Sequence, residues 1–365
     1  MLPISFFSVI LVLMSTIRKM PIGVQSFEDL RSKGFIYIDK TEFIWQLVDS
    51  SKVHFLSRPR RFGKSLLLST LKAYFLGQKE LFKGLAIEKL EEAEKGKREI
   101  WQEYPVLYLD FNTGIYDTKE GLLNRLTSFL CEYEKIYGST GLDLPDRFQN
   151  LIKAAYEKTG RQAVILIDEY DKPLLETVND EPLNAANRSL LKAFYEVIKQ
   201  CDGYIRFAFL TGITKFSKTT LFSGVNNLID ITLLDDYDAI CGFTEEELTT
   251  YLFQKIEKLA EAGNSTVEET RATLKKKYDG YCFSRKGVKV YNPFSILNVL
   301  ADSTYDYYWF ETATPSYLVN YLKRMRIFIP DLDQDIKIGA QVVQDFRYND
   351  HDAIIPLLFQ SGYLT

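Results

Sequence analysis

From about residue 50 onward, short and almost wholly apolar runs alternate with longer stretches of helical periodicity. Residues 53–56 form the first such run, followed by a basic loop at 57–64 and by helical spacing over 66–76 that stops at Gly77. Residues 80–104 are charged and predict helix, and 105–111 (PVLYLDF) predict a buried strand. Residues 119–137 set Leu122, Leu126, Phe129, Leu130 and Tyr133 on one helical face. A second buried strand is expected at 163–168 (AVILID), a helix at 184–200, a strand at 205–210 (IRFAFL) and a fifth strand at 228–233. Strands that are apolar on both faces and separated by helices imply a parallel sheet covered on both sides. Such sheets bind ligands at the carboxyl ends of their strands, so the functional loops should follow Leu56, Phe111, Asp168 and Leu210.

Beyond residue 242 the strand pattern fades and helix starts take over. Thr244 with Glu247 has capping-box spacing, as does Ser265 with Glu268, and the second helix ends in three lysines at 275–277, which suit the negative end of a helix dipole. Asn292-Pro293 and Thr314-Pro315 each pair an N-cap with a proline at the first helical position. The expected organisation is a leader at 1–19, an α/β core at 20–241 and a mainly helical domain at 242–365. The leader is apolar over 2–14 but short for a bilayer and lacks a basic start, so it reads as disordered or upstream-extended sequence rather than an anchor. Gly362-Tyr363-Leu364-Thr365 reads as the start of a strand, with a further region expected after it.

Composition narrows the chemistry. The 365 residues are 46% apolar and 26% charged with a net charge of −4, which excludes a whole-surface basic field for nucleic acid. The two histidines, His54 and His351, are too few for a multi-histidine metal site. Cys131, Cys201, Cys241 and Cys282 are too dispersed for a zinc knuckle or a redox pair and fit reduced thiols of a cytoplasmic protein.

The candidate chemistry sits between the first strand and the first core helix. Phe62-Gly63-Lys64-Ser65 in a strand–loop–helix context is a P-loop, or Walker A, pattern. Backbone N–H groups and the helix N-terminus would cradle phosphate, Lys64 would reach the β- and γ-phosphates, and Ser65 would hold Mg²⁺. The full GxxxxGK[ST] pattern is not met, because Arg58 stands where its first glycine belongs. Arg58, Arg60 and Arg61 have open roles: phosphate contact, partner contact or plain solvation. The strand at 163–168 ends in Asp168-Glu169, a Walker B pattern in which Asp168 would complete the Mg²⁺ shell and Glu169 would polarise the attacking water. The strand PVLYLDF between the two motifs points to the additional-strand class of P-loop ATPases. Thr211, in preference to Thr214, would sense the γ-phosphate. The site set is therefore Arg61, Phe62, Gly63, Lys64, Ser65 and Leu66 around ATP, Ser65 and Asp168 on Mg²⁺, and Lys64, Glu169 and Thr211 in the chemistry.

Several longer motifs carry a family resemblance: Pro21-Ile22-Gly23-Val24-Gln25-Ser26-Phe27, Tyr37-Ile38-Asp39-Lys40-Thr41, the loop Ser57-Arg58-Pro59-Arg60-Arg61-Phe62-Gly63-Lys64-Ser65, and Asp168-Glu169-Tyr170-Asp171-Lys172-Pro173. Tyr278-Asp279-Gly280-Tyr281, Tyr291-Asn292-Pro293-Phe294-Ser295 and Tyr308-Trp309-Phe310-Glu311-Thr312 extend it over about residues 20–365. Together they resemble the bacterial AAA-ATPase-like family. The resemblance implies an additional-strand ATPase core with a helical lid, and it makes RPRRFGKS the family's own loop. It also implies that Asp39-Lys40-Thr41 lies near adenine, although an Asp/Thr helix cap explains the same residues. Members often continue into a nuclease-like domain of the PD-(D/E)xK type after a segment like 358–365, and no Asp…Glu-x-Lys set precedes residue 365 here. The expected function is Mg²⁺-dependent ATP hydrolysis that moves the lid or a partner. The alternatives are a slow nucleotide-dependent switch and an ATPase that gates a nuclease or a nucleic-acid-binding partner. Partner and oligomeric state are left open by the chain.

Overall fold

The computed structural model describes residues 18–215, 221–284, 287–309, 318–319, 322–323 and 354–364. The leader and the Thr314-Pro315 helix start fall mostly outside these residues. Five strands, β1 (Val53–Ser57), β2 (Val106–Asp110), β3 (Ala163–Asp168), β4 (Ile205–Gly212) and β5 (Leu228–Asp230), form one sheet in the order β2-β3-β4-β1-β5. Every pairing in it is parallel. The architecture is the expected α/β, P-loop NTPase-like one. The strand inserted between the P-loop strand and the acidic strand is β4, however, and PVLYLDF forms the edge strand β2. Chain order cannot reveal this, because β3 pairs with both neighbours through equally apolar residues.

Strand side chains alternate between two apolar layers, as their period of two requires. Phe55, Leu109, Ile165, Ile167 and Leu210 face one layer, built with α5 (Lys119–Tyr137), α6 (Leu144–Thr159) and α8 (Glu181–Gln200). Leu56, Leu166, Phe207 and Phe209 face the other, built with α1 (Phe27–Ser32), α2 (Thr41–Ser50) and α3 (Lys64–Phe75). Each such residue, once buried, contributes about 1.5–3 kcal/mol. The charged stretch at 80–104 is helical only in its middle, α4 (Ala86–Glu94), with a 3-10 turn at Lys79–Phe82 before it. The short helix α7 (Lys172–Glu176) follows the acidic turn.

The C-terminal half is helical through α9 (Glu245–Tyr251), α10 (Phe253–Ala262), α11 (Val267–Tyr278) and α12 (Pro293–Asp302). The Thr244–Glu247 capping box is present, whereas the second box uses Thr266 and Glu269, one residue beyond the expected pair. That register points Thr270, Leu274 and Tyr278 inward, and Ser265 instead bonds the Thr270 hydroxyl. A short antiparallel pair, β6 (Tyr281–Cys282) with β7 (Lys289–Val290), interrupts the helices. The last described element is a helix, α13 (Ile354–Ser361), which ends at Gly362 with φ +86°, and no strand follows within the described residues. The two halves interleave. Ile36 and Ile38 pack among the C-terminal helices, while Phe283, Val290, Leu357 and Leu358 pack into the layers beside the sheet.

Candidate active site

β1 runs between β4 and β5 inside the sheet, and the loop that follows turns into α3 at Gly63. Gly63 has φ +94°, a conformation that glycine adopts without steric cost. Two non-glycine residues of the site share this left-handed region, Arg61 at φ +68° and Glu169 at φ +52°. Such angles persist where surrounding contacts over-determine them.

Lys64 is buried, and its Nζ donates to the carbonyls of Arg58 at 3.1 Å and Pro59 at 3.3 Å. The same Nζ lies 3.5 Å from Oε1 of Glu169. The left-handed turn after Asp168 swings Glu169 toward the loop in this way. Asp168 itself is buried at the end of β3, beside Ser65. Burial first, and then the Glu169 carboxylate, push the Asp168 carboxyl up to about 7, while a hydrogen bond from Ser65 opposes the rise. A buried carboxylate in contact with a serine hydroxyl is a set of hard oxygen donors, the kind that suits Mg²⁺.

Lys64, Ser65 and Glu169 open onto a cavity of about 680 Å³, within the roughly 300–1,000 Å³ typical of small-molecule sites. Arg61, Phe62, Gly63, Lys64, Ser65, Leu66 and Glu169 all line it. Apolar residues drawn from before β1 and from the C-terminal half, Val24, Ile36, Ile38, Phe243, Phe294 and Leu297, line it as well. Lys40 crosses between the halves there: its Nζ donates to both Glu247 carboxylate oxygens at 2.5 and 2.7 Å and to the Ala239 carbonyl.

Two of the expected residues are held by hydrogen bonds within the fold. Thr211 is fully buried, and its hydroxyl donates to the Leu56 carbonyl at 2.9 Å, which fastens β4 to β1 away from the cavity lining. Asp39 is a cap: its carboxylate accepts from the Thr41 N–H and hydroxyl and from the Ala86 N–H.

Arg58 is neither solvated nor aimed at the cavity. Its guanidinium is buried, donates to the carbonyls of Ser57, Thr232 and Tyr237, and stacks 4.1 Å from the Phe283 ring centre. Burial lowers its pKa to about 10. Arg61 lies over Phe294 at 4.7 Å.

Residues beyond the sequence-derived set also reach the site. Asp110, in register with Asp168 across β2 and β3, lines the cavity, and the strand-ending Asp in PVLYLDF was its available signal. Asp171 is fully buried, and its Oδ2 accepts from the N–H groups of Ile213 and Thr214 and from the Thr214 hydroxyl. It clips the acidic turn to the loop after β4.

A sequence profile of the AAA-ATPase-like family, described as predicted AAA-ATPase, matches residues 21–222. The chain belongs to the AAA-ATPase-like family. It is also 38% identical over 352 residues to a protein from Azotobacter chroococcum mcd 1 described as "Uncharacterized protein in vnfD 5'region". That match takes in 95% of this chain but 64% of the relative, so the chain spans just under two thirds of the relative's length. Among the described residues no helix is long and apolar enough to cross a membrane.

Proposed function

We propose that this member of the AAA-ATPase-like family binds ATP in the cavity beside Lys64 and hydrolyses it with Mg²⁺. The observation that carries the proposal is that Lys64, Ser65 and Glu169 line one cavity, with Asp168 buried behind Ser65, together with apolar residues from before β1 and from the C-terminal half. The apolar lining would take the base, and the loop amides would take the phosphates at the N-terminus of α3. Ser65 and Asp168 would hold Mg²⁺, which when bound neutralises charge on the β- and γ-phosphate oxygens. Lys64 would exchange its loop carbonyls and Glu169 for phosphate oxygens. Glu169, so released, would orient the attacking water and receive its proton.

A slow nucleotide-dependent switch is the second reading, and one observation favours it. Among the described residues the arginines that line the cavity are Arg60 and Arg61, both on the phosphate loop itself. Charge developing at the γ-phosphate would then call for an arginine from a partner, the arrangement that accelerates P-loop hydrolases roughly 10³- to 10⁵-fold. A nuclease or nucleic-acid partner has weaker support, because the charge balance is acidic. Turnover with Mg²⁺ by wild type and Glu169→Gln, with binding measured alongside, tests the proposal. Turnover by wild type alone supports an ATPase; tight binding without turnover in either supports the switch; absence of binding refutes both.

A further inference from the structure

The phosphate loop is gripped along its whole length by residues far away in sequence. Arg58 stacks on Phe283, and Phe62 packs edge-on against both Tyr281 at 4.8 Å and Phe283 at 5.5 Å. The Arg60 carbonyl accepts from the Trp309 indole at 3.2 Å. Pro59 lies against Gly362 so closely that a Cβ built on that glycine would sit 2.9 Å from the Pro59 Cβ. Tyr281 closes the set by donating its hydroxyl to the Gly362 carbonyl at 3.1 Å.

This arrangement explains the Arg-Pro-Arg-Arg-Phe run better than phosphate contact does. The phosphate-facing groups of such a loop are backbone N–H donors, and their convergence depends on the loop's shape. A glycine at position 58 would leave that shape free, whereas Arg58 is pinned by three carbonyls and a ring. Phe62 stands between two residues of positive φ, Arg61 and Gly63, and a wedged ring there over-determines the strained turn.

We propose that Tyr281 and Phe283 are positioning residues for the phosphate loop. Through Phe62 and Arg58 they hold the loop in its phosphate-binding shape, and so the C-terminal half sets nucleotide affinity. By linkage, phosphate binding tightens the loop's grip on the β6 region in equal measure. The affinity part of this proposal rests on the ATP reading above, but the shape of the loop does not.

The test uses the full chain with Phe283→Leu, which removes the ring but stays apolar, Tyr281→Leu as an independent second variant, and Phe283→Tyr as the ring-retaining one. Amide hydrogen exchange is followed without nucleotide at 60–63 and, as an internal control, in β3 and β4. The expected result is faster exchange at 60–63 in both leucine variants, unchanged exchange in β3 and β4, and recovery in Phe283→Tyr. ATP affinity should fall about tenfold in the leucine variants, within the span usual for coupled sites. Unchanged loop exchange in both leucine variants overturns the proposal, as does faster exchange spread evenly over the sheet. If wild type binds no ATP, the ATP reading fails, and the exchange comparison decides this proposal alone.

Discussion

The Lys64 ammonium and the Glu169 carboxylate, 3.5 Å apart and both largely buried, hold each other at the mouth of the cavity. Each is the group whose proposed task concerns ATP, and neither can perform it while engaged with the other. Entry of a phosphate chain would therefore exchange one charge pair for another and set Glu169 free at the moment when the γ-phosphate arrives. The left-handed backbone at Glu169, which costs of order 1–3 kcal/mol, is what points its side chain this way.

Glu169→Gln should separate binding from chemistry. Lys64 loses its counter-charge and becomes more available, so ATP affinity should hold or rise, while turnover falls by about 100-fold or more. Lys64→Ala should do the opposite to binding, removing charge-assisted bonds worth about 1.5–3 kcal/mol and weakening ATP by roughly 10- to 100-fold. Calorimetric titration beside a phosphate-release assay reads both, and equal loss of affinity in the two variants would contradict these assignments.

Thr211→Val should cost stability without touching turnover. The valine keeps the volume but leaves the buried Leu56 carbonyl without its hydroxyl partner, a loss of about 0.5–1.5 kcal/mol. Urea unfolding should show that loss, with turnover within about twofold of wild type. A tenfold fall in turnover would restore Thr211 as a phosphate sensor.

Local patterns made the loop, the acidic turn and the strand runs legible, because a P-loop and a buried strand are written in consecutive residues. What escaped was decided by distant partners. The role of Arg58 stays open until Thr232, Tyr237 and Phe283 arrive to bury it, and the hydrogen bond from the Thr211 hydroxyl to β1 shows in no local pattern. The place of β4 between β1 and β3 is a matter of pairing, which no single run encodes. The second capping box slipped by one residue because Ser265 and Thr266 both have a glutamate three positions on, and only burial of Thr270 and Leu274 chooses between them.

Gly212→Ala should unlatch the loop after β4. A Cβ there would stand 2.4 Å from Asp171 Oδ1 and 2.6 Å from the Tyr170 ring, and both neighbours are fully buried. Relief requires moving Asp171, which receives the Ile213 and Thr214 amides. Overpacking of this kind costs about 1–3 kcal/mol. Chemical denaturation should register the loss, and a variant as stable as wild type would show that Asp171 can retreat freely.

His54 should make the fold acid-sensitive in a defined window. It lies on β1, with Nε2 within 3.1 Å of the Ser50 hydroxyl and 2.9 Å of the Ser51 hydroxyl, and with Phe207 and Phe209 alongside. Burial lowers its pKa from the ordinary 6.5 to about 4, so the folded chain keeps the ring neutral where the unfolded chain protonates it. Between those two values the unfolded state binds more protons, and stability falls as pH falls. Above 6.5 the contribution is fully present, and below about 4 it is fully lost. Each tenfold drop in the ring's proton affinity corresponds to roughly 1.4 kcal/mol, which makes the whole window worth about 3 kcal/mol. His54→Gln removes the titrating group, so its unfolding free energy should decline by about that much less than wild type's over the same window. Carboxylates that titrate in both proteins cancel in the comparison, and parallel pH profiles would show that the folded ring takes up its proton as readily as the unfolded one.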